Sequence, residues 1–560
     1  MAKRIIVDPI TRIEGHLRIE VEVDSDQVIR DAWSSITLWR GIETILKGRD
    51  PRDAGLITQR FCGVCTYVHY EASTLACEDA FGIKPPPNAR IVRNLIHGAQ
   101  YLTDHIMHFY HLHGLDWVDV VSALSADPKK AVEMAMGFSS NPYNCSETHY
   151  KAVQERLTKF VKSGRLGPFA NAYWGNASYK LPAEANLIIV SHYLDALQVS
   201  KVGAQMMAIF GGKNPHPQSL VVGGVTSVMD AVDASRIGEY KFRLNELRNF
   251  VETAYIPDIL LAGTYYKGEG AAGIGGGVKN YLCYGGFPLD DSDNPKFLFP
   301  RGRLVNRDLS QVLPIDEKKI TEEVTHAWYK GGSEPEHPSK GTTEPNYTGY
   351  NKQGNLEGQD KYSWCKAPRY DNEPYEVGPL ARVLIAYGAG NPEVKALVDG
   401  TLKALDAPVT ALFSTLGRTA ARALETKYVG DHIAGWIGEL VDNISKKGDT
   451  RFWTRCDVPK KGQGRGMTEP PRGALGHWIN IEDYKIANYQ AIVPSTWNCS
   501  PRDKKGKRGP YEESLIGTRL ANVDQPLEIL RTIHSFDPCM ACAVHIIDPK
   551  SDRVREFRIA

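Results

Sequence analysis

The chain has 560 residues, with 67 Lys and Arg against 66 Asp and Glu, and is 42% hydrophobic. A net charge of +1 gives no electrostatic reason to expect nucleic acid or an anionic membrane as partner, and no apolar run is long enough to span a bilayer. At this length a single core usually stops growing, so several subdomains are expected, and ten cysteines are too few for a disulfide framework.

The N-terminus lacks the apolar run of a secretory signal, so any export would have to be directed by a partner. Residues 5–23 alternate enough to predict two short strands around a turn carrying Arg12-Ile13-Glu14-Gly15-His16. After Pro85-Pro86-Pro87, a helix is predicted from Asn88 to about Ser125, because Ile91, Leu95, Ala99, Leu102, Ile106 and Phe109 recur at spacings of three and four. Further helical patterns run through 129–161, 183–209, 231–260, 380–405 and 409–444. Residues 261–378 are rich in Gly, Pro, Tyr and Trp, and 331–359 read as a long loop or surface excursion. Residues 473–498 predict short strands and turns around Gly476-His477-Trp478, and the basic run 502–508 reads as a solvated loop. There is no internal repeat.

The fold class expected is mainly α with small α+β parts: a long-helix bundle core with peripheral short sheets. Residues 1–84 form an N-terminal α+β segment, 85–260 a helical core, and 261–378 a loop and strand insertion. Residues 379–470 return to the helical core, 471–545 form a C-terminal segment, and 546–560 are an extension.

Two Cys-x-x-Cys pairs lie near opposite ends of the chain. Cys62-Gly63-Val64-Cys65 is followed by His69, and Cys539-Met540-Ala541-Cys542 by His545. If the two dithiols meet, folding itself assembles a four-thiolate site, and soft sulfur selects zinc, copper(I), nickel or iron over magnesium or calcium. A structural Cys₄ zinc site is the commonest use of such pairs. Against it stand the long separation, an apolar content ample for a core without a metal knot, and ionisable neighbours (Arg60, His69, Asp537, His545) that a structural site does not need. Those features favour a catalytic metal and leave zinc as the alternative. The other six cysteines are scattered and read mostly as structural thiols.

The segments Arg60 to His69 and Asp537 to His545 resemble the two signature segments of the nickel–iron hydrogenase large, catalytic subunit. The resemblance covers essentially the full length. It includes Arg12 to His16, Arg40-Gly41-Ile42-Glu43, Asp104-His105 with His108-Phe109-Tyr110, Pro471 to Trp478, and Pro494 to Asn498. It points to the uptake, membrane-associated or periplasmic branch and implies that family's fold.

The resemblance implies a role for each matching residue. Cys62 and Cys539 would be terminal nickel ligands, and Cys65 and Cys542 would bridge nickel to iron, which would carry carbon monoxide and two cyanides. The activity implied is reversible heterolytic cleavage of dihydrogen, with hydride on the bimetallic centre. Glu14 would be the first proton carrier beyond a terminal cysteine, most plausibly Cys539; read alone, it is a glutamate capping a turn beside Arg12. Arg472 would lie over the site, where many members read Ala-Pro-Arg and this chain reads Pro470-Pro471-Arg472. Asp104 and Asp537 would hold that arginine. Read alone, Asp104 is a surface charge on a helix, although Ile106 and Phe109 indicate a partly buried face. Ser495, with the backbone at Pro494, would bind a cyanide, and His69 would hydrogen-bond a bridging sulfur. Glu43, His545 and the carbonyl near Ala491 would hold magnesium or iron(II). Val64 and Leu112 match gas-channel positions and are equally compatible with ordinary core aliphatics. The series His105, His108, His111 and His113 reads as packed or hydrogen-bonded imidazoles rather than a further metal stripe.

The family also implies partners. These are an iron–sulfur small subunit, in a heterodimer or dimer of heterodimers, and beyond it a membrane cytochrome b, a quinone-reducing subunit or a cytochrome c. Nickel-insertion proteins and an endopeptidase would act in maturation, the latter cutting between His545 and Ile546 to remove 546–560. Location on the periplasmic side, by export with the small subunit, is expected. Three rivals are weighed: a metal-free subunit of a quinone-reducing complex with the same fold, a cytosolic cofactor-reducing hydrogenase, and the zinc protein. The four cysteines, Arg472 and the tail argue against the first of these. Length and the Thr66-Tyr67-Val68-His69 context favour the exported respiratory type over the second.

Overall fold

The computed structural model describes residues 3–165, 167, 169, 172–331, 334–349 and 361–543, with the backbone alone at 542 and 543. The expectations for the Cys542 side chain, His545, Ile546 and the 546–560 extension lie outside the described residues. About 47% of the chain is helical and the sheets are small, which places the protein in the mainly α class. No helix among the described residues is long and apolar enough to cross a membrane.

The centre is a bundle in which helix Pro87–Met107 packs against Ala183–Gly211 and Thr415–Ser445, with Ala234–Phe250 beside the latter two. Pro87–Met107 starts with proline in its first turn, where no backbone donor is lost, and it is buried from Asn88 to Ile106. Its neighbours come very close: a Cβ on Gly203 would fall 2.0 Å from Thr103 Oγ1. Thr415–Ser445 is capped by Ser414, whose side chain accepts from Gly417 N at 3.0 Å. One continuous apolar cluster takes in Ile42, Leu95, Val190, Leu384, Val429 and Cys539, so both ends of the chain share a core. Two smaller clusters accompany it.

Several predicted helices are interrupted, some at polar side chains that cap the next helix and others at π-turns. The helix predicted over 88–125 ends as α-helix at Met107 and continues through a π-turn, His108–His113, and short 3₁₀ turns. Residues 129–161 form two helices, Pro128–Met136 and Glu147–Lys162, each capped by its own residue, Asp127 and Ser146. Residues 380–405 divide at Asn391, which caps Pro392–Leu405 with its side chain. The 231–260 pattern divides into Val228–Val232, Ala234–Phe250, a π-turn at Val251–Tyr255, and a helix that runs on to Ala271.

Two antiparallel sheets of three strands flank the bundle. The first adds Ile29–Ile36 to the two predicted N-terminal strands, Lys3–Val7 and Leu17–Val23. The second pairs Leu475–Glu482 with Lys485–Ile492 and adds Lys461–Thr468. That added strand lies directly on helix Val68–Phe81, which follows the first cysteine pair. A Cβ on Gly466 would fall 1.9 Å from Ala72 O, and one on Gly464 2.1 Å from Ala76 O. Only glycine permits this approach, and glycine at alternate positions hides the strand from a hydrophobic pattern. The described part of 331–359 forms isolated bridges and turns, but it is not wholly a surface excursion, because Thr343 is buried.

Candidate metal centre

Folding brings the two cysteine segments together. Cys62 leaves a 3₁₀ turn in extended conformation, and Cys65 lies three residues before helix Val68–Phe81. Cys539 follows helix Leu527–His534 through Asp537, at φ +58°, and opens onto the helical turn Met540–Ala543, which carries the Cys542 backbone. The Cys539 sulfur lies 3.3 Å from that of Cys62 and 4.0 Å from that of Cys65. These separations exceed a disulfide bond of about 2.05 Å and suit sulfurs sharing an ion. All three sulfurs belong to buried cysteines outside any disulfide. Val64 N and Cys65 N donate to Cys62 Sγ at 3.1 and 3.2 Å, a pattern that favours thiolate. A buried, soft sulfur donor set of this kind fits a thiophilic transition metal.

Glu14 is built into the Cys539 loop by backbone pairing. Glu14 N donates to Pro538 O at 3.3 Å, and Met540 N donates to Glu14 O at 2.8 Å. Gly15, at φ +83°, permits the approach: a Cβ there would lie 2.6 Å from Ala541 N. The Glu14 carboxylate accepts from Ala541 N at 2.8 Å and faces Cys539 Sγ at 3.3 Å. Burial, then the Cys62 charge, push its pKa from 4.5 to about 7, against the Ala541 and Cys539 hydrogen bonds and Arg472. Glu14 does accept from a turn's backbone, but the turn is that of the second cysteine segment; its neighbour Arg12 pairs elsewhere, with Asp116 at 2.5 Å.

Arg472 is buried near enough to Cys539 and Cys65 to feel their charges. Its Nη1 donates to Asp104 Oδ2 at 3.1 Å, and Nη2 pairs with Asp537 Oδ1 at 3.0 Å. Burial works against the guanidinium charge, but Asp537, Cys539, Asp104 and Cys65 together hold it well above the ordinary arginine value. Asp104 is buried, which excludes a surface charge. Burial raises its pKa to about 7, Asp537 and Cys62 acting with burial and Arg472 against it.

Ser495, in the turn that begins at Pro494, accepts from Cys539 N at 3.0 Å through Oγ. His69 is buried; its Nδ1 pairs with His477 Nε2 at 3.2 Å, and His477 Nδ1 pairs with Tyr489 Oη at 2.6 Å. Burial pushes His69 down to about 3, so the ring is neutral. Glu43 accepts from Ala491 N at 2.9 Å and from the Thr343 hydroxyl, while Lys366 Nζ donates to Thr343 Oγ1 at 3.1 Å and to Gln490 Oε1 at 2.7 Å. Thr343 and Lys366 sit in a segment without apolar periodicity, and Gln490 is a polar residue in a predicted strand; none carries a signal of its own. Val64 is half-buried beside the main core, and Leu112, also half-buried, gives its carbonyl to Arg12 Nη1 at 2.6 Å.

The histidine series is held by ordinary partners. His105 Nε2 meets Glu425 at 2.6 Å, His108 Nε2 the His534 carbonyl at 2.7 Å, and His111 Nε2 the Tyr193 carbonyl at 3.1 Å. His113, Asp116 and His534 form a second compact group of buried potential ligands. Its atoms are committed to one another. Trp117 Nε1 donates to His113 Nε2, so His113 donates through Nδ1 to Asp116, and Arg12 takes the other Asp116 oxygen.

The family model for nickel-dependent hydrogenase matches residues 40–545, and one described as HoxL-like matches 4–37. The quinone-reactive Ni/Fe-hydrogenase large chain of Wolinella succinogenes is 50% identical over 571 residues, covering 100% of this chain and 98% of that one. The uptake hydrogenase large subunit of Rhizobium leguminosarum bv. viciae is 50% identical over 584 residues, covering 100% and 97%. Among solved structures, the reduced Ni-Fe-Se hydrogenase of D. vulgaris Hildenborough superposes with a TM-score of 0.80 at 38% identity, covering 97% of this chain and 100% of that one.

Proposed function

The chain belongs to the nickel-dependent hydrogenases as a large, catalytic subunit that splits dihydrogen at a nickel–iron centre, and on that premise we propose how its own residues do so. Cys62, Cys65, Cys539 and Cys542 would hold the centre, Cys62 and Cys539 as terminal nickel ligands and Cys65 and Cys542 as shared ones. When bound, that centre supplies the two-electron acceptor against which dihydrogen is cleaved to two protons and two electrons. The observation that carries this reading is the meeting of three sulfurs from the two ends of the chain, with Glu14 3.3 Å from one of them.

Cys539 hands its proton to Glu14 Oε2. A carboxyl group poised at about 7 can take that proton and release it near neutral pH. Arg472, fixed by Asp104 and Asp537, presents a buried positive charge at the sulfurs and would donate to a cyanide of the bound centre. Ser495 and the backbone at Pro494 would bind a second cyanide of a centre that also carries carbon monoxide. His69 supports a bridging sulfur. Glu43, the carbonyl near Ala491 and His545 would hold magnesium or iron(II); the Ala491 N–H bond to Glu43 puts the first two side by side. Val64 and Leu112 line the inner end of an apolar route for dihydrogen.

The sequence offers no further cysteine cluster suited to iron–sulfur centres, so electrons leave through an iron–sulfur small subunit. Relatives named as uptake and quinone-reactive enzymes support a place on the periplasmic side of the membrane, with a cytochrome b or a quinone-reducing subunit as acceptor. Cleavage between His545 and Ile546 is supported by the family match, which ends at 545.

Exposing the purified heterodimer to D₂ in H₂O tests the reading. Heterolysis with a cysteine–glutamate proton path gives HD as the early product, and Cys539→Ser abolishes it. A metal-loaded enzyme that forms no HD would overturn the assignment.

A further inference from the structure

Arg472 and Asp104 are joined twice: once directly, and once around a ring behind them. Asp104 is followed by His105 on helix Pro87–Met107, and His105 Nε2 donates to Glu425 Oε1 at 2.6 Å. Glu425, on helix Thr415–Ser445, also accepts from Arg382, through Oε1 from Nη2 at 2.7 Å and through Oε2 from Nε at 2.9 Å. Arg382, on helix Pro379–Gly388, donates from Nη2 to Pro471 O at 2.6 Å and from Nη1 to Pro470 O at 2.8 Å. The residue after Pro471 is Arg472, whose Nη1 closes the ring on Asp104 Oδ2 at 3.1 Å. Every link is a peptide bond or a hydrogen bond, and His105, Glu425 and Arg382 are sealed from solvent.

We propose that Glu425 is a positioning residue that, through His105 on one side and Arg382 on the other, sets where Arg472 and Asp104 stand near the cysteines. The proposal rests on the reading of Arg472 given above. Stability alone is a poor reason for the arrangement. Arg382 and its carboxylates Glu425 and Glu469, which accepts from Nη1 at 2.9 Å, are wholly buried, and well-packed apolar residues often stabilise a protein as much as such a cluster. What apolar residues cannot do is fix direction. Two guanidinium nitrogens gripping consecutive carbonyls define the path of the chain just before Arg472. The carboxylate also ties that grip to the turn of helix bearing Asp104. A displacement of about 1 Å at a catalytic group can cost on the order of a hundredfold in rate.

The test is a double-mutant cycle on the nickel-loaded heterodimer, with turnover normalised to nickel content. In Glu425→Gln the side chain keeps its shape, but an amide NH₂ replaces one acceptor oxygen and faces a donor. We expect kcat to fall about tenfold with KM for dihydrogen unchanged. In the Glu425→Gln/Arg472→Lys double variant, turnover should match that of Arg472→Lys alone, because one residue acts through the other. Effects that multiply, or a Glu425→Gln enzyme with wild-type kcat beside an impaired Arg472→Lys, would overturn this proposal alone. Full turnover in Arg472→Lys would remove the reading of Arg472 and this proposal with it. If Glu425→Gln fails to load metal, His105→Phe leaves the Arg382–Glu425 pair intact and enters the same cycle. It should give a smaller loss that again does not multiply with Arg472→Lys, and multiplication would again overturn the proposal.

Discussion

Glu14 Oε2 stands 3.3 Å from the sulfur of Cys539 across 525 residues of sequence. Backbone bonds to Pro538 and Met540 hold the carboxylate there, so its distance to the sulfur is set by the pairing of the two chain ends. Glu14→Gln keeps that backbone and the Ala541 contact while removing the proton carrier. Turnover should drop at least a hundredfold, within the range that a positioned acid–base group supplies, and metal content should stay at the wild-type level. Steady-state hydrogen oxidation with nickel analysis on the same sample checks both halves, and undiminished turnover would exclude Glu14 from the proton path.

Gly15→Ala should damage the same contact without touching a reactive group. The residue is at φ +83°, and its Cβ would press on Ala541 N and the Met540 side chain. Backbone strain there costs about 1–3 kcal/mol before the clash is counted. The segment bearing Cys539 should be displaced, nickel content should fall, and thermal stability should drop. Gly82→Ala, also left-handed but with open space around it, should lose stability and retain its metal.

A pH-dependent stability term is placed at Glu512. It is buried, its Oε1 accepts from Ser34 N at 3.0 Å and Tyr362 Oη at 2.8 Å, and Oε2 faces Arg502 Nε at 3.6 Å. Burial pushes its pKa from 4.5 to about 7, against the pull of Arg502. Between those values the folded chain binds more protons than the unfolded one, so this residue costs increasing stability as pH rises from 4.5 and the full cost is reached above 7. Glutamine imitates the protonated form and does not titrate. The Tm of Glu512→Gln relative to wild type should therefore rise from pH 5 to pH 8, by an amount worth on the order of 1–3 kcal/mol. A difference that is flat or falls with pH would show that the carboxyl group is ionised throughout.

Much of this architecture is legible in the sequence where the physics is local. The helix predicted over 183–209 is found as Ala183–Gly211, because a segment apolar around most of its circumference needs no partner to be recognised. The paired cysteines announce a thiolate site for the same reason. Strand Lys461–Thr468 is not legible, because its glycines matter only once helix Val68–Phe81 lies against them. Arg382 and Glu425 fall within predicted helices, but nothing in the sequence marks them, since a buried ion pair differs from a solvated one only in what surrounds it. Glu43 carries a family signature, whereas Thr343, its hydroxyl partner, comes from a stretch with no pattern to detect. The positions that escaped are those whose role depends on partners tens to hundreds of residues away.

The central claim is that the four cysteines hold a nickel–iron centre, and the most direct measurement is metal analysis of the purified complex joined to its infrared spectrum between the amide and C–H regions. The account predicts one nickel for each large subunit, iron beyond that of the small subunit's clusters, and sharp carbon monoxide and cyanide bands, all lost in Cys62→Ser and Cys539→Ser. Zinc in place of nickel, with no such bands, would contradict it and leave the cysteines as a structural clasp.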